Sequence, residues 1–155
     1  REILKTKAGV IKLADNAKIK LILKQTADGS TDSSELFTRG EFREHGGSFF
    51  IDYDKSEATG YAGSHVQLRI GQQDDTVTMT RTGKAFSSLV FENGKRHFCQ
   101  YGTEYGDCMI GISTVDMRNG MTSDGGELYV RYTIDVNAGL MLENEITIHV
   151  KPHNN

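Results

Sequence analysis

Residues 128–136 read LYVRYTIDV, and this stretch decides the fold class. Apolar side chains occupy every second position in it, namely Leu128, Val130, Tyr132, Ile134 and Val136. A period of two is typical of a β-strand that packs one face on a core and turns the other to water, whereas a helix repeats its apolar positions every three to four residues. The stretch therefore predicts a strand of an antiparallel sheet.

The same alternation recurs along most of the chain, for example in residues 19–23, 66–70 and 146–150. Between these runs lie turn signals that supply the positive φ of tight hairpins: Asp28-Gly29, Gly46-Gly47, Asn93-Gly94, Asn119-Gly120 and residues 124–126. Short strands joined by hairpins form a meander, and closing the meander removes its exposed edges. The sequence thus predicts an all-β fold, an antiparallel up-and-down β-barrel of about 8–10 strands, with a β-sandwich as the alternative.

The chain has 155 residues, which is the size of one domain with its own core. Residues 17–155 are predicted to form that single barrel domain. Residues 1–16 differ, because their apolar residues fit a helix only loosely and Gly9 interrupts them. We therefore expect an N-terminal extension that is a cap helix, an extra strand or a disordered segment.

Charge and hydropathy exclude several classes of function. The 18 basic and 21 acidic side chains give a net charge of -3, without the basic footprint of a nucleic-acid-binding protein. The apolar runs are too short to span a membrane, and no stretch resembling a signal peptide opens the sequence. We therefore expect a cytoplasmic protein without nucleic-acid or membrane partners. Its His, Cys and acidic residues show no metal-ligand spacing, so no metal and no cofactor are predicted.

The hairpin around Asn93-Gly94 gives the sharpest local geometry. A two-residue type I′ loop would pair Glu92 with Lys95 and place Phe86 opposite Tyr101. A four-residue loop at 102–105 would then pair Tyr101 with Gly106. In that register Cys99 lies directly opposite Cys108 on the adjacent strand. Both thiols are expected to be reduced in a cytoplasmic protein.

Both faces of these strands are apolar, so alternation alone does not decide which face lines the interior. One face would carry Phe86, Ser88, Val90, His97, Cys99, Tyr101, Cys108, Ile110 and Ile112, and the other would carry Leu89, Phe91, Arg96, Phe98 and Met109. The functional interpretation turns the first face inward, with imidazole and phenol as polar groups in an apolar cavity. In the alternative interpretation, His97 and Tyr101 only satisfy each other or the nearby backbone. The outward face would need a cover, either residues 1–16 or a second copy in a homodimer.

Arg81 is the second candidate for binding, because it continues an apolar series at the end of a strand before Gly83. At a barrel mouth an arginine can hold a carboxylate or phosphate through two hydrogen bonds. The alternative is an ion pair with an acidic neighbour such as Glu57. The candidate binding residues are thus Arg81, His97, Tyr101, Tyr105 and Glu57.

Six segments give the chain a resemblance to a known family: SELFTRGEF at 34–42, SEATG at 56–60, FENGKRH at 91–97, TEYG at 103–106, GGEL at 125–128 and ENE at 143–145. Their order and spacing resemble the YwiB family, which comprises small uncharacterised bacterial proteins. The resemblance implies a calycin-like (lipocalin-like) β-barrel and a cytosolic setting, with no catalytic residues to carry over. Glu104 departs from the family pattern, which often has proline there, and residues 1–16 fall outside the resemblance.

The leading hypothesis for function is a non-catalytic barrel that binds a small, partly apolar ligand, with an acidic group on the ligand as a further possibility. The alternative is a structural or protein-interaction module with a filled core that uses its outer surface. An enzyme ranks third, because no arrangement of residues assigns both a nucleophile and a base. Cavity volume distinguishes the first two hypotheses, since a barrel of this size either is filled by side chains or holds one ligand.

Overall fold

A computed structural model describes residues 15–54, 63–73, 75–103, 105–136 and 139–153. These residues form ten strands: β1 (Ala17–Ala27), β2 (Ser30–His45), β3 (Ser48–Asp54), β4 (His65–Gly71), β5 (Thr76–Thr82), β6 (Ser87–Glu92), β7 (Arg96–Thr103), β8 (Gly106–Asn119), β9 (Gly126–Val136) and β10 (Leu140–Pro152). Each strand pairs antiparallel with the next along the chain, and β1 pairs with β10 to close the barrel. The predicted up-and-down barrel is therefore confirmed, and the sandwich is excluded.

The alternation that predicted the strands also builds the core. Leu128 and Val130 of β9 are fully buried, and so are Leu68 of β4 and Ile112 of β8. Burial of each such side chain stabilises the folded state by about 1.5–3 kcal/mol. The described residues contain no helix that is long and apolar enough to cross a membrane. The N-terminal extension was predicted for residues 1–16, and residues 1–14 of it lie outside the described residues.

The two ends of the barrel differ. At one end, the connection between β8 and β9 folds inward, so that Met121 is buried as part of the core. Gly125 lies in this connection, and a Cβ there would collide with the backbone of Val150 and the ring of Pro152. We call the opposite end the open end; β5 finishes there, β6 starts there, and Thr103 and Gly106 form the β7–β8 turn there.

The register between β6 and β7 differs from the prediction. The turn is as expected, because the Lys95 amide donates to the Glu92 carbonyl oxygen at 3.0 Å. Further along, however, Ser87 and not Phe86 lies opposite Tyr101. The strands separate between these points, where the Val90 amide donates to the Cys99 Sγ at 3.3 Å instead of to a backbone carbonyl.

This one-residue slip turns over the faces of β6, as a slip by one must in a strand. Phe91 is 1% exposed in the core, whereas Phe86 is 43% exposed. The prediction that Phe86, Ser88 and Val90 share one face with His97, Cys99 and Tyr101 was therefore wrong.

The turn between β7 and β8 is shorter than predicted. Thr103 pairs with Gly106, so two residues form the connection instead of four. Cys99 consequently lies opposite Ile110, and Tyr101 lies opposite Cys108, which corrects the predicted pairing of the two cysteines. Both cysteines are free thiols, with Cys99 buried and Cys108 exposed. Because this slip is by two residues, the predicted inward face of β7 and β8 is retained.

Candidate functional site

A cavity of about 420 Å³ lies inside the barrel at its open end. Its wall is mostly apolar, with Leu21, Leu36, Val66, Met79, Leu89 and Ile146 among the lining residues. The polar lining residues of the inner wall are Tyr53, Arg81, Ser87, Tyr101 and Tyr132, and Ser34 and Glu35 lie at its edge on β2. An apolar cavity with a few converging polar groups is the usual composition of a small-molecule site, and the volume lies within the usual range of about 300–1,000 Å³.

Arg81 is the cationic residue among the described residues that line the cavity. It is buried near the end of β5, where its Nη2 donates to the Ser87 Oγ at 3.0 Å and to the Gly102 carbonyl oxygen at 2.7 Å. Its guanidinium carbon lies 5.4 Å from the centroid of the Tyr101 ring. The Ser87 Oγ also accepts a hydrogen bond from the Gly102 amide, at 3.1 Å. These contacts fix the guanidinium in place.

Glycine at position 102 is required by this arrangement. A Cβ on Gly102 would collide with the backbone of Phe86, which crosses directly over it. The close approach of the two chain segments brings the Gly102 carbonyl within reach of Arg81. The binding geometry of Arg81 therefore depends on a backbone contact that only glycine permits.

Three tyrosines, Tyr53, Tyr101 and Tyr132, line the same cavity. Burial raises the pKa of Tyr53 to about 12. Burial, followed by the nearby Tyr101, raises the pKa of Tyr132 to about 12 as well. Both phenols are therefore neutral hydrogen-bond donors at physiological pH. Within the described residues, the hydroxyls of Tyr53, Tyr101 and Tyr132 form no hydrogen bond with the protein, although buried phenols normally have a partner.

Of the five predicted binding residues, the structure places two on the wall of the cavity. Arg81 and Tyr101 line the cavity together. His97 does not line it, because its Nε2 hydrogen-bonds the Glu92 Oε1 at 2.9 Å across the β6–β7 turn. Tyr105 is 91% exposed in the β7–β8 turn and points away from the cavity. Glu57 lies outside the described residues, as does any ion pair that it forms with Arg81.

His97 therefore has a structural role, as in the alternative interpretation of the sequence, but its hydrogen-bond partner is not the expected one. It pairs with Glu92, not with Tyr101, and the hydrogen bond from His97 is the main cause that lowers the pKa of Glu92. Tyr53 and Tyr132 are cavity residues that the sequence did not single out. Both stand at apolar positions of alternating strands, where a phenol cannot be told from an ordinary core aromatic.

A second polar cluster lies on the outer face of β3 and β4. The two ring nitrogens of His65 each lie 2.9 Å from a carboxylate oxygen, one of Asp54 and one of Asp52. Burial alone would lower the pKa of His65, but the hydrogen bonds to Asp54 and Asp52 outweigh it and raise the pKa. No group of three or more His, Cys, Asp or Glu residues suited to a metal ion occurs in the described part of the chain. The cluster is therefore an ion-paired histidine.

The fold and this cavity define the class of protein, a closed antiparallel up-and-down barrel with a cavity at one end. The chain belongs to the DUF1934 family (a domain of unknown function), whose family model matches residues 19–148. The crystal structure of the ywiB protein from Bacillus subtilis is similar, with a TM-score of 0.79 over 90% of this chain and 93% of that chain. At 14% identity this likeness shows the shared fold. The resemblance seen in the sequence is thus confirmed.

No protein with curated annotation matches this chain. The family model and the structural likeness identify the fold and the family, and the function has to be argued from the site.

Proposed function

We propose that the protein is a non-catalytic binder of a small, partly apolar ligand that carries an acidic group. The observation that supports this proposal best is the cavity of about 420 Å³ at the open end. Packed protein cores contain few voids larger than one water molecule. A volume of this size is therefore better explained as space for a ligand than as imperfect packing. The cytoplasmic setting that the family resemblance implies is part of the same proposal.

The polar groups of the cavity indicate the chemistry of the ligand. Arg81 brings a fixed positive charge to a wall that is otherwise mostly apolar. Tyr53, Tyr101 and Tyr132 add three hydroxyl donors on the same inner surface. A carboxylate, sulfonate or phosphate group would accept hydrogen bonds from these residues, and hydrogen bonds that involve a charged group are the strongest kind. The remaining apolar wall favours a hydrocarbon or aromatic body on the ligand.

The same residues argue against catalysis. Tyr53 and Tyr132 have pKa values raised to about 12, so neither phenolate is available as a base near neutral pH. Cys99 is buried, and burial raises the pKa of its thiol, which disfavours the nucleophilic thiolate. The guanidinium of Arg81 has N–H donors and no acceptor, so it serves as a hydrogen-bond donor. We therefore propose a site that binds its ligand unchanged.

The proposal is tested by binding of anilinonaphthalene sulfonate, a fluorescent probe with apolar rings and one acidic group. We expect the folded protein to bind the probe and Arg81→Met to weaken binding by about 1.5–3 kcal/mol, the scale of a hydrogen bond to a charged group. Arg131→Met is the matched control, because Arg131 is an exposed arginine on β9 away from the cavity. Native mass spectrometry of protein purified from its own host would show the natural ligand. Equal binding by both variants would contradict the proposal.

A second candidate function is a protein-interaction module. On the outer face of β7 and β8, Phe98 is 69% exposed and Met109 is 55% exposed. Both belong to the strand face that the functional interpretation turns outward. Phe91, predicted for the same face, is buried, which corrects that part of the prediction. Arg96 stacks on Phe98 with its guanidinium carbon 4.4 Å from the ring centroid.

A homodimer through this face remains a proposal. Sedimentation of the wild type and of Phe98→Ser would test it, since loss of the aromatic ring from a self-complementary interface should shift a dimer toward monomer. A wild type that sediments as a monomer at all concentrations would contradict it.

A further inference from the structure

A groove of about 420 Å³ runs across the outer face of β10, β1 and β2, outside the barrel. One row of residues across these strands consists of Lys151, Lys18 and Arg39, since Lys18 lies opposite both of the others. The next outward-facing row consists of His149, Lys20 and Phe37. All six line the groove, and none of the lining residues that the structure describes is acidic.

Like charges directly opposite each other on adjacent strands destabilise a sheet. Lys18 nevertheless faces one cation on each side. None of Lys18, Lys20, Arg39 and Lys151 forms an ion pair within the described residues. The whole chain has a net charge of -3, so the cluster is a local feature and not part of a basic protein. Such a cluster is the electrostatic arrangement expected of a site for a multiply charged anion.

The aromatic residue of the groove narrows the class of ligand. Phe37 is 68% exposed beside these cations, and the Lys20 Nζ lies 5.3 Å from the centroid of its ring. An exposed aromatic ring next to a cationic row is the combination that holds a base and its phosphates. Neighbouring strands are about 4.8 Å apart, so the row of three cations spans about 10 Å, and the Phe37 row lies about 7 Å further along the strands.

We propose that this groove binds a nucleoside polyphosphate, with the phosphates on the row formed by Lys151, Lys18 and Arg39 and the base against Phe37. Arg39 can donate two parallel hydrogen bonds to one phosphate, and the lysines act as point charges beside it. Lys20 lies beside Phe37 in the second row. The site is separate from the open-end cavity and independent of its proposed ligand.

Acidic residues around the groove favour a compact ligand over a nucleic-acid strand. Glu127 of β9 lies on one side, with its Oε1 3.6 Å from the Nδ1 of His149. Glu41 follows Arg39 at the next outward position of β2, and its Oε1 lies 3.8 Å from the Nε of Arg43. Glu145 lies opposite Lys24 further along β1. A polymer that continued past the groove would meet these carboxylates, whereas a single nucleotide would not.

The test is calorimetric titration of the full chain with three probes at low ionic strength and without metal ions. The probes are ATP, pyrophosphate and a single-stranded oligothymidylate of about twelve nucleotides. The variants are Lys18→Gln, Arg39→Gln and Phe37→Ala. Lys24→Gln is the control, because Lys24 is an exposed lysine of the same strand that does not line the groove.

We expect ATP to bind more tightly than pyrophosphate, and Lys18→Gln and Arg39→Gln each to weaken both by about fivefold, the scale of an exposed charge interaction. Phe37→Ala should lower the affinity for ATP toward that for pyrophosphate, and Lys24→Gln should leave both unchanged. The proposal is overturned if ATP does not bind, or if Lys24→Gln weakens binding as much as Lys18→Gln. Tighter binding of the oligonucleotide than of ATP would also overturn it, in favour of a nucleic-acid surface.

Discussion

Two phenylalanine substitutions test which face of β6 packs into the core. Phe91 is 1% exposed and packs edge-to-face on Tyr132, with the ring centroids 4.7 Å apart. Removing a buried phenylalanine side chain costs about 3–5 kcal/mol, because the apolar contacts are lost and a cavity remains. Phe91→Ala should therefore lower the free energy of unfolding by that amount, a large part of the roughly 5–15 kcal/mol typical of a domain.

Phe86→Ala is the matched control, because the regular hairpin register would place Phe86 inside in place of Phe91. Phe86 is 43% exposed, so its removal should cost less than about 1 kcal/mol. Urea unfolding monitored by circular dichroism measures both values. If Phe86→Ala destabilises the protein as much as Phe91→Ala, the one-residue slip between β6 and β7 is wrong.

Three further predictions concern the packing and titration of single residues. Gly40→Ala should destabilise the barrel by about 1–3 kcal/mol in urea unfolding, because its Cβ would collide with a carbonyl of β3, whereas Gly139→Ala should have little effect since its Cβ has room. A thiol reagent should label Cys108 in the native protein and Cys99 only after unfolding, because Cys108 is exposed and Cys99 is buried; rapid native labelling of both would contradict this. The raised pKa of His65 means that its contribution to stability is fully present below the unfolded pKa of about 6.5 and is lost as pH rises through the folded pKa. His65→Gln should remove this pH dependence, and an unchanged pH profile would show that the ion pairs contribute nothing.

The fold could be predicted because it depends on a repeated pattern. Alternation in β9 and its counterparts, with glycine turns between them, specifies an antiparallel meander whatever the details of each pair. The local register could not be predicted, because it depends on one contact. The Val90 amide donates to the thiol of Cys99, and this side-chain bond replaces a backbone bond that a regular hairpin would have.

Only part of the candidate site could be predicted from the sequence. Arg81 stood out because a charged residue at an apolar position of a strand is unusual, and the structure places it on the cavity wall. Tyr53 and Tyr132 occupy positions where aromatic residues are ordinary, so no sequence pattern distinguishes them from core residues. The cationic groove was hidden because Lys18 and Lys151 are far apart in sequence and become neighbours only when β1 pairs with β10.

The central claim, that the open end of the barrel holds a small ligand, is tested most directly by NMR mapping of amide chemical shifts during titration with anilinonaphthalene sulfonate. We expect the largest changes at cavity residues such as Met79, Leu89 and Tyr132, and little change at Phe49 or Met121 near the opposite end of the core. Shifts confined to the outer face around Phe98, or none at any concentration of the probe, would contradict the claim.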